Sequence, residues 1–224
     1  MPRLLISLDM NEKQVVVVGG GTVAARKCLQ LVRNQAHVTV IAPMLAPSMG
    51  RLVISGLVSH KARSFEPGDL SGAFLVYAAT DDADVNRRVT EEARGNGLLV
   101  NSADDPSSSS FSSTAQVRRG GLTLAVATDG ASPALARRIR RDLAKAYGRE
   151  YAQALRLMGA VREKLLTQTP NRTYNKQIFN ALAASDIPEL FRKGQLAEID
   201  RFLLGQCGPG FSLSDLGLLK EVSQ

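Results

Sequence analysis

This 224-residue chain has no tryptophan, only two cysteines and two histidines, and few other aromatics, four Tyr and seven Phe. Each shortage excludes something. Cys28 and Cys207 make neither a metal-ligand spacing nor a disulfide framework. They read as small buried or half-buried hydrophobes, and a reducing cytoplasm suits them. His37 and His60 stand apart and beside no other ligand type, so both are expected at the surface and no metal site is expected. A stacking platform for single-stranded nucleic acid would want more aromatics. No apolar run nears the roughly 18 residues of a membrane span. The first ten residues include Arg3 and Asp9 and lack both a long apolar stretch and a small-residue cleavage signal, so no secretory leader is expected.

What is present is an ordinary globular mixture, 44% hydrophobic and 22% charged. Its formal net charge is +7, which draws anionic partners: nucleic acid, an acidic membrane surface or a polycarboxylate small molecule. The first half alternates strand and helix patterns. Residues 14–18 are a β-branched run suited to a strand buried on both faces, and 23–34 carry Ala24, Ala25, Cys28, Leu31 and Val32 near one helical face. Strand signals follow at 37–41, 74–79 and 98–102, with helices at 46–52 and 82–96, the latter capped by Asp82. That order predicts a Rossmann-like parallel sheet with helices on both faces.

The rhythm changes near Asp105. Segments 114–118 and 122–127, joined by Arg119-Gly120-Gly121, read as a hairpin, and Ser132-Pro133 opens a helix running to about Tyr147. From 149 onward the pattern is helical, with helices expected at 149–168 and 175–184 and shorter pieces at 185–194 and 195–205. The fold class is therefore α/β in three parts: a nucleotide-binding domain (1–113), a small α+β region (114–148) and a helical C-terminal domain (149–224). The middle part is too small to bury a core of its own, which makes pairing with a second copy, a homodimer, the expectation.

Gly19-Gly20-Gly21-Thr22-Val23-Ala24 follows a strand and opens a helix, matching G-x-G-x-x-A. Gly19 suits the tight turn, Gly21 lets backbone approach a pyrophosphate, and Ala24 packs the helix close to the strand. The helix N-terminus then offers free N–H groups to the phosphates. The acidic residue that usually holds the ribose at the end of the second strand is missing, since that strand runs into Ala42-Pro43-Met44. Backbone around these residues must serve instead, and with no Arg there for a 2′-phosphate, NAD is preferred over NADP. Thr80, at the end of a strand followed by Asp81-Asp82, is expected on the nicotinamide side. Asp82 is equally a helix cap. Asp104 and Asp105 end the next strand: either they form an Asx-type turn before Pro106, or one of them accepts the proton that hydride removal releases. Arg137, Arg138, Arg140 and Arg141 form a basic cluster on the Ser132 helix. It is either a solvated or interface face or a steering field for a polyanion.

Four motifs, 19–27 (GGGTVAARK), 79–86 (ATDDADVN), 101–106 (NSADDP) and 124–137 (LAVATDGASPALAR), occur in the order found in precorrin-2 dehydrogenases, including the N-terminal module of sirohaem synthase. The chain resembles that family over roughly residues 3–145, and more loosely in its helical tail. The resemblance implies a homodimer with an NAD-binding domain, a dimerisation region and a helical region, and an anionic tetrapyrrole bound in the cleft between them. It implies oxidation of precorrin-2 to sirohydrochlorin on the way to sirohaem, and in some members insertion of Fe2+ as a second substrate. By position Asp104 matches the family's essential Asp, Thr22 and Val23 the cofactor-contacting pair after the glycines, and Pro43 and Met44 a second such pair. The chain departs from the family at Phe111-Ser112-Ser113-Thr114, where a Phe-x-x-Pro stretch is common, and in the serine run 107–110. Thr128 stands where some members carry a phosphorylatable Ser. Two other classes remain: a non-catalytic NAD or redox sensor on the same fold, and a nucleic-acid binder using the Arg cluster.

Overall fold

The computed structural model describes residues 3–168 and 172–219. The chain divides into two compact units, Met1–Ser113 and Thr114–Gln224.

The first unit is built on a five-stranded parallel sheet in the order β3-β2-β1-β4-β5. Its elements are β1 (Gln14–Val18), α1 (Thr22–Val32), β2 (His37–Ile41), α2 (Pro47–Ile54), β3 (Ser59–Lys61), β4 (Leu75–Ala78), α3 (Ala83–Gly95) and β5 (Leu99–Ser102). Val15 to Val18 are all buried because the sheet is covered on both faces. Alternate residues feed two cores. Val15, Val17, Val38, Val40, Leu75 and Tyr77 pack with Ala24, Ala25, Cys28 and Leu31 of α1 and Met49 of α2. Val16, Val18, Ile41, Val76, Ala78 and Val100 pack with Val89 and Ala93 of α3 and with Phe65 and Leu70.

β3 carries no strand signal in the sequence. Its Ser-His-Lys has no apolar run to signal a strand, and pairing with β2, through Thr39↔Ser59, Val40↔His60 and Ile41↔Lys61, makes it one. The sheet spreads from β1 in both directions, with β2 on one side and β4 on the other. This is the switch point at which open α/β sheets part to leave a crevice beyond their strand ends.

The second unit opens with an antiparallel pair, β6 (Ala115–Arg119) and β7 (Leu122–Val126), followed by α4 (Pro133–Ala146). Ser132 caps α4, its Oγ accepting from the Leu135 N–H at 3.2 Å. Four helices follow: α5 (Glu150–Gln168), α6 (Arg172–Ala183), α7 (Ile187–Lys193) and α8 (Leu196–Cys207). Ala154, Leu157, Val161 and Leu165 line one face of α5 at helical spacing and pack with Ile178, Leu182, Ile187, Phe191, Ile199 and Leu203. Beyond α8, Phe211 and Leu213 join this core. The hairpin region and the helical region that the sequence separates at residue 148 both lie within this unit.

Candidate active site

Gly19 adopts φ +126°, a conformation open to glycine, and a Cβ there would lie 2.2 Å from the Ala79 carbonyl oxygen. Gly20 was not singled out in the sequence, yet a Cβ on it would lie 2.0 Å from the Met44 carbonyl oxygen. Two backbone bonds fix this knot: Gly19 N–H to the Ile41 carbonyl and Ala46 N–H to the Gly20 carbonyl, each 2.9 Å. The first two glycines thus let three strand ends converge. Gly21 differs, because a Cβ there would meet no described atom within 4 Å.

Gly21 is also the N-cap of α1. No side chain of the described residues caps this helix, and its first turn holds no acidic residue. Its leading N–H groups and positive dipole end are therefore left without a side-chain partner among the described residues. Thr22 and Val23 are exposed at this terminus, and Pro43 and Met44 are exposed where β2 ends, Met44 at 82%. Ala24 is fully buried beneath them. Free helix-terminal amides beside bare apolar side chains are what a dinucleotide site requires. His60 braces that side, its Nε2 2.9 Å from the Ala42 carbonyl oxygen; it is half-buried rather than at the surface, whereas His37 is exposed and paired with Glu12 at 2.7 Å.

Beyond β4 the turn is held by side chains. Asp82 Oδ1 accepts from the N–H groups of Asp84 (2.9 Å) and Val85 (3.1 Å), so Asp82 is the cap of α3. Thr80 Oγ1 lies 2.8 Å from both the Asp82 carbonyl oxygen and Asn86 Oδ1, and it accepts from the Asp82 N–H. Its hydroxyl is engaged within the turn.

Asp104 stands two strands from the glycine turn, across β4 and beyond β5, a span of about 10 Å by strand spacing. Its carboxylate is exposed and accepts a 2.5 Å bond from the Ser102 hydroxyl. That bond holds the carboxyl below the usual range; burial opposes it, and the Asn86 side-chain amide and nearby backbone N–H groups reinforce it. Asp105 is also held low, first by the Ser107 hydroxyl, and forms the expected Asx-type turn before Pro106. The serine run has a local role as well. Ser110 Oγ accepts from the Val100 N–H (2.8 Å) and Ser109 Oγ from the Ser102 N–H (2.9 Å), satisfying the free edge of β5.

Lys27, inside the GGGTVAARK motif, was not singled out in the sequence. Its ammonium lies 4.3 Å from the centroid of the Tyr77 ring and donates to Asn101 Oδ1 at 2.9 Å. Asn101 in turn donates to the Phe111 carbonyl at 3.0 Å, and the Phe111 ring stands edge-on to Tyr77. Burial, with Arg26 nearby, lowers the Lys27 pKa to about 8. Burial also pushes the Cys28 thiol up to about 12, which leaves it inert at neutral pH. In the second unit Arg137, Arg138 and Arg141 are exposed and Arg140 is half-buried.

The sequence and the fold are similar to those of known proteins. Residues 6–115 match an NAD(P)-binding family model, and residues 119–146 match the central region of sirohaem biosynthesis proteins. Siroheme synthase from Methylobacillus flagellatus is 36% identical over 191 residues, 84% of this chain and 41% of the relative. Siroheme synthase 1 from Aeromonas salmonicida is 32% identical over 223 residues, 99% of this chain and 47% of the relative. The chain thus spans less than half the length of these curated relatives. The solved structure of SirC, a precorrin-2 dehydrogenase, superposes with a TM-score of 0.78 at 30% identity, covering 91% of this chain and 98% of SirC. The chain belongs to the precorrin-2 dehydrogenase family.

Proposed function

We propose that this protein oxidises precorrin-2 to sirohydrochlorin with NAD, as a cytoplasmic homodimer. The observation that carries the reading is the pairing of an uncapped helix N-terminus at the glycine turn with an ionised Asp104 two strands away. Bound there, NAD supplies the hydride acceptor. We assign Gly19, Gly21, Thr22, Val23, Pro43, Met44 and Thr80 to its binding and Asp104 to the substrate.

The substrate loses a C–H bond, whose hydrogen and electron pair leave as hydride, and a proton departs separately. A carboxylate held ionised by hydrogen bonds is a weak proton acceptor. It is well suited to offset the positive charge that grows on the tetrapyrrole as hydride leaves, with water taking the proton. The +7 charge favours a substrate rich in carboxylates.

Two features of the second unit support pairing with another copy. Leu135 and Ile139 lie one helical turn apart on α4 and are 47% and 36% exposed. The β6–β7 ribbon has only two strands, which are marginal alone. Sedimentation at micromolar concentration is expected to give twice the chain mass, and Leu135→Glu the single mass.

Mixing the purified protein with NAD and precorrin-2 tests the activity. NADH absorbance is expected to rise in step with sirohydrochlorin, and faster with NAD than with NADP. No NADH from wild-type protein overturns the dehydrogenase reading and leaves the NAD-sensor alternative, which needs binding alone. Fe2+ enters the same reading as a second substrate, and loss of free sirohydrochlorin on adding Fe2+ is the expected sign of its insertion.

A further inference from the structure

The end of β2 carries no cation of its own, yet the fold sets two beside it. β3 is the parallel neighbour of β2, with Lys61 opposite Ile41, and the Ala42 N–H donates to the Lys61 carbonyl at 3.2 Å. Arg63 turns back onto the same carbonyl, its own N–H donating to it at 2.9 Å. One strand spacing, roughly 5 Å, separates this backbone from that of β2, a gap that a lysine or arginine side chain can cross. Neither side chain is free to cross it. The Asp69 carboxylate, 4% exposed, accepts from Lys61 Nζ at 2.9 Å and takes Arg63 bidentately, Nη1 at 2.6 Å and Nη2 at 2.7 Å. The Glu66 N–H adds a fourth bond to it at 3.0 Å, and Arg63 Nη1 also donates to the Ser64 carbonyl at 3.0 Å. Arg63 holds the Asp69 carboxyl well below the usual carboxylate range. Phe65 and Leu70 anchor the loop in the core on either side. With the Glu66 carboxylate 3.5 Å from Arg63 Nη1, the charges of Lys61, Arg63, Glu66 and Asp69 cancel.

We propose that Asp69 is a specificity-determining residue: by tying Lys61 and Arg63 to the loop after β3, it keeps both from the 2′ position of an adenosine ribose beyond β2 and makes the site select NAD over NADP. The inference rests on the nucleotide reading above, in which Pro43 and Met44 contact the cofactor. Asp69 acts through the two cations and does not itself touch the nucleotide. A 2′-phosphate arriving there would meet a loop with no net charge and a guanidinium fork already filled by a carboxylate. It would lose hydration and gain no charged partner, a cost that the 2′-hydroxyl of NAD does not carry. Discrimination of this kind works against the wrong ligand and adds nothing to the right one.

Calorimetric affinities for NAD and NADP test this. Wild type is expected to bind NAD at least ~10-fold more tightly than NADP. Asp69→Asn keeps the shape of the side chain and removes its charge; it is expected to tighten NADP ~10-fold or more while NAD stays within ~2-fold. A merely structural role would weaken both nucleotides alike, so NADP no tighter than in wild type overturns the inference. Asp69→Asn combined with Lys61→Met and Arg63→Met removes the released cations and is expected to lose that gain; a gain that persists overturns it. Lys61→Met alone leaves the Arg63–Asp69 pair in place and decides the matter even where Asp69→Asn does not fold. Unchanged NADP affinity in that variant supports the lock, and a ~10-fold loss, the sign of Lys61 already serving the phosphate, overturns it. Wild type that binds neither nucleotide overturns the nucleotide reading itself; wild type that binds both equally overturns only the part given to Asp69.

Discussion

The two sides of the crevice are built by different means. The glycine turn is a backbone device: its positions are set by where a Cβ cannot fit, and it leads into N–H groups of α1 that no described side chain caps. The Asp104 side is a side-chain device, in which Ser102, Ser109 and Ser110 hold the loop and its acid through individual hydrogen bonds. A backbone device fails all at once when a single atom is added. A side-chain device loosens one bond at a time.

The difference can be broken most forcefully at the glycines. Gly19→Ala and Gly20→Ala each push a methyl into a carbonyl oxygen, and each is expected to lower stability by roughly 3 kcal/mol or more, measured by urea unfolding. Gly21→Ala has space, so its stability is expected to stay within ~0.5 kcal/mol while NAD affinity falls ~10-fold or more. Equal destabilisation by all three would erase the distinction between packing and binding glycines.

Lys27 sharpens the comparison, because its ammonium ties α1 to β5 beneath the two devices. Its pKa is lowered from 10.5 to about 8, so between those values the unfolded chain holds a proton that the folded chain has lost. Stability from this group therefore rises with pH across about 8 to 10.5 and is flat outside that window. Lys27→Met is expected to remove that rise, seen as a smaller gain in unfolding midpoint from pH 8 to 10 than in wild type. The smallest effects belong to the edge serines. Ser109→Ala and Ser110→Ala each leave one β5 N–H without its partner and are expected to cost ~1 kcal/mol, read from thermal unfolding.

The same contrast explains what the sequence made legible. The parallel sheet, the turn at Gly19 and the caps at Asp82 and Ser132 follow from local patterns of a few residues. β3 did not, since Ser59, His60 and Lys61 become a strand only by pairing with β2. Gly20 was hidden because the backbone it accommodates, at Met44, is 24 positions away. Lys27 and Asn101 are 74 positions apart, and no spacing rule links them. Asn86 sat inside a motif already in view, four residues after Asp82, yet its bonds to the Thr80 backbone needed the fold. The serine run read as an irregularity, and its role at the edge of β5 emerged only with the loop folded back along that strand.

The most direct measurement is the behaviour of Asp104→Ala, with NAD affinity by calorimetry and NADH formation on precorrin-2 followed on the same sample. The account predicts wild-type affinity for the nucleotide and a rate lower by ~10²-fold or more. Wild-type turnover in that variant would contradict it.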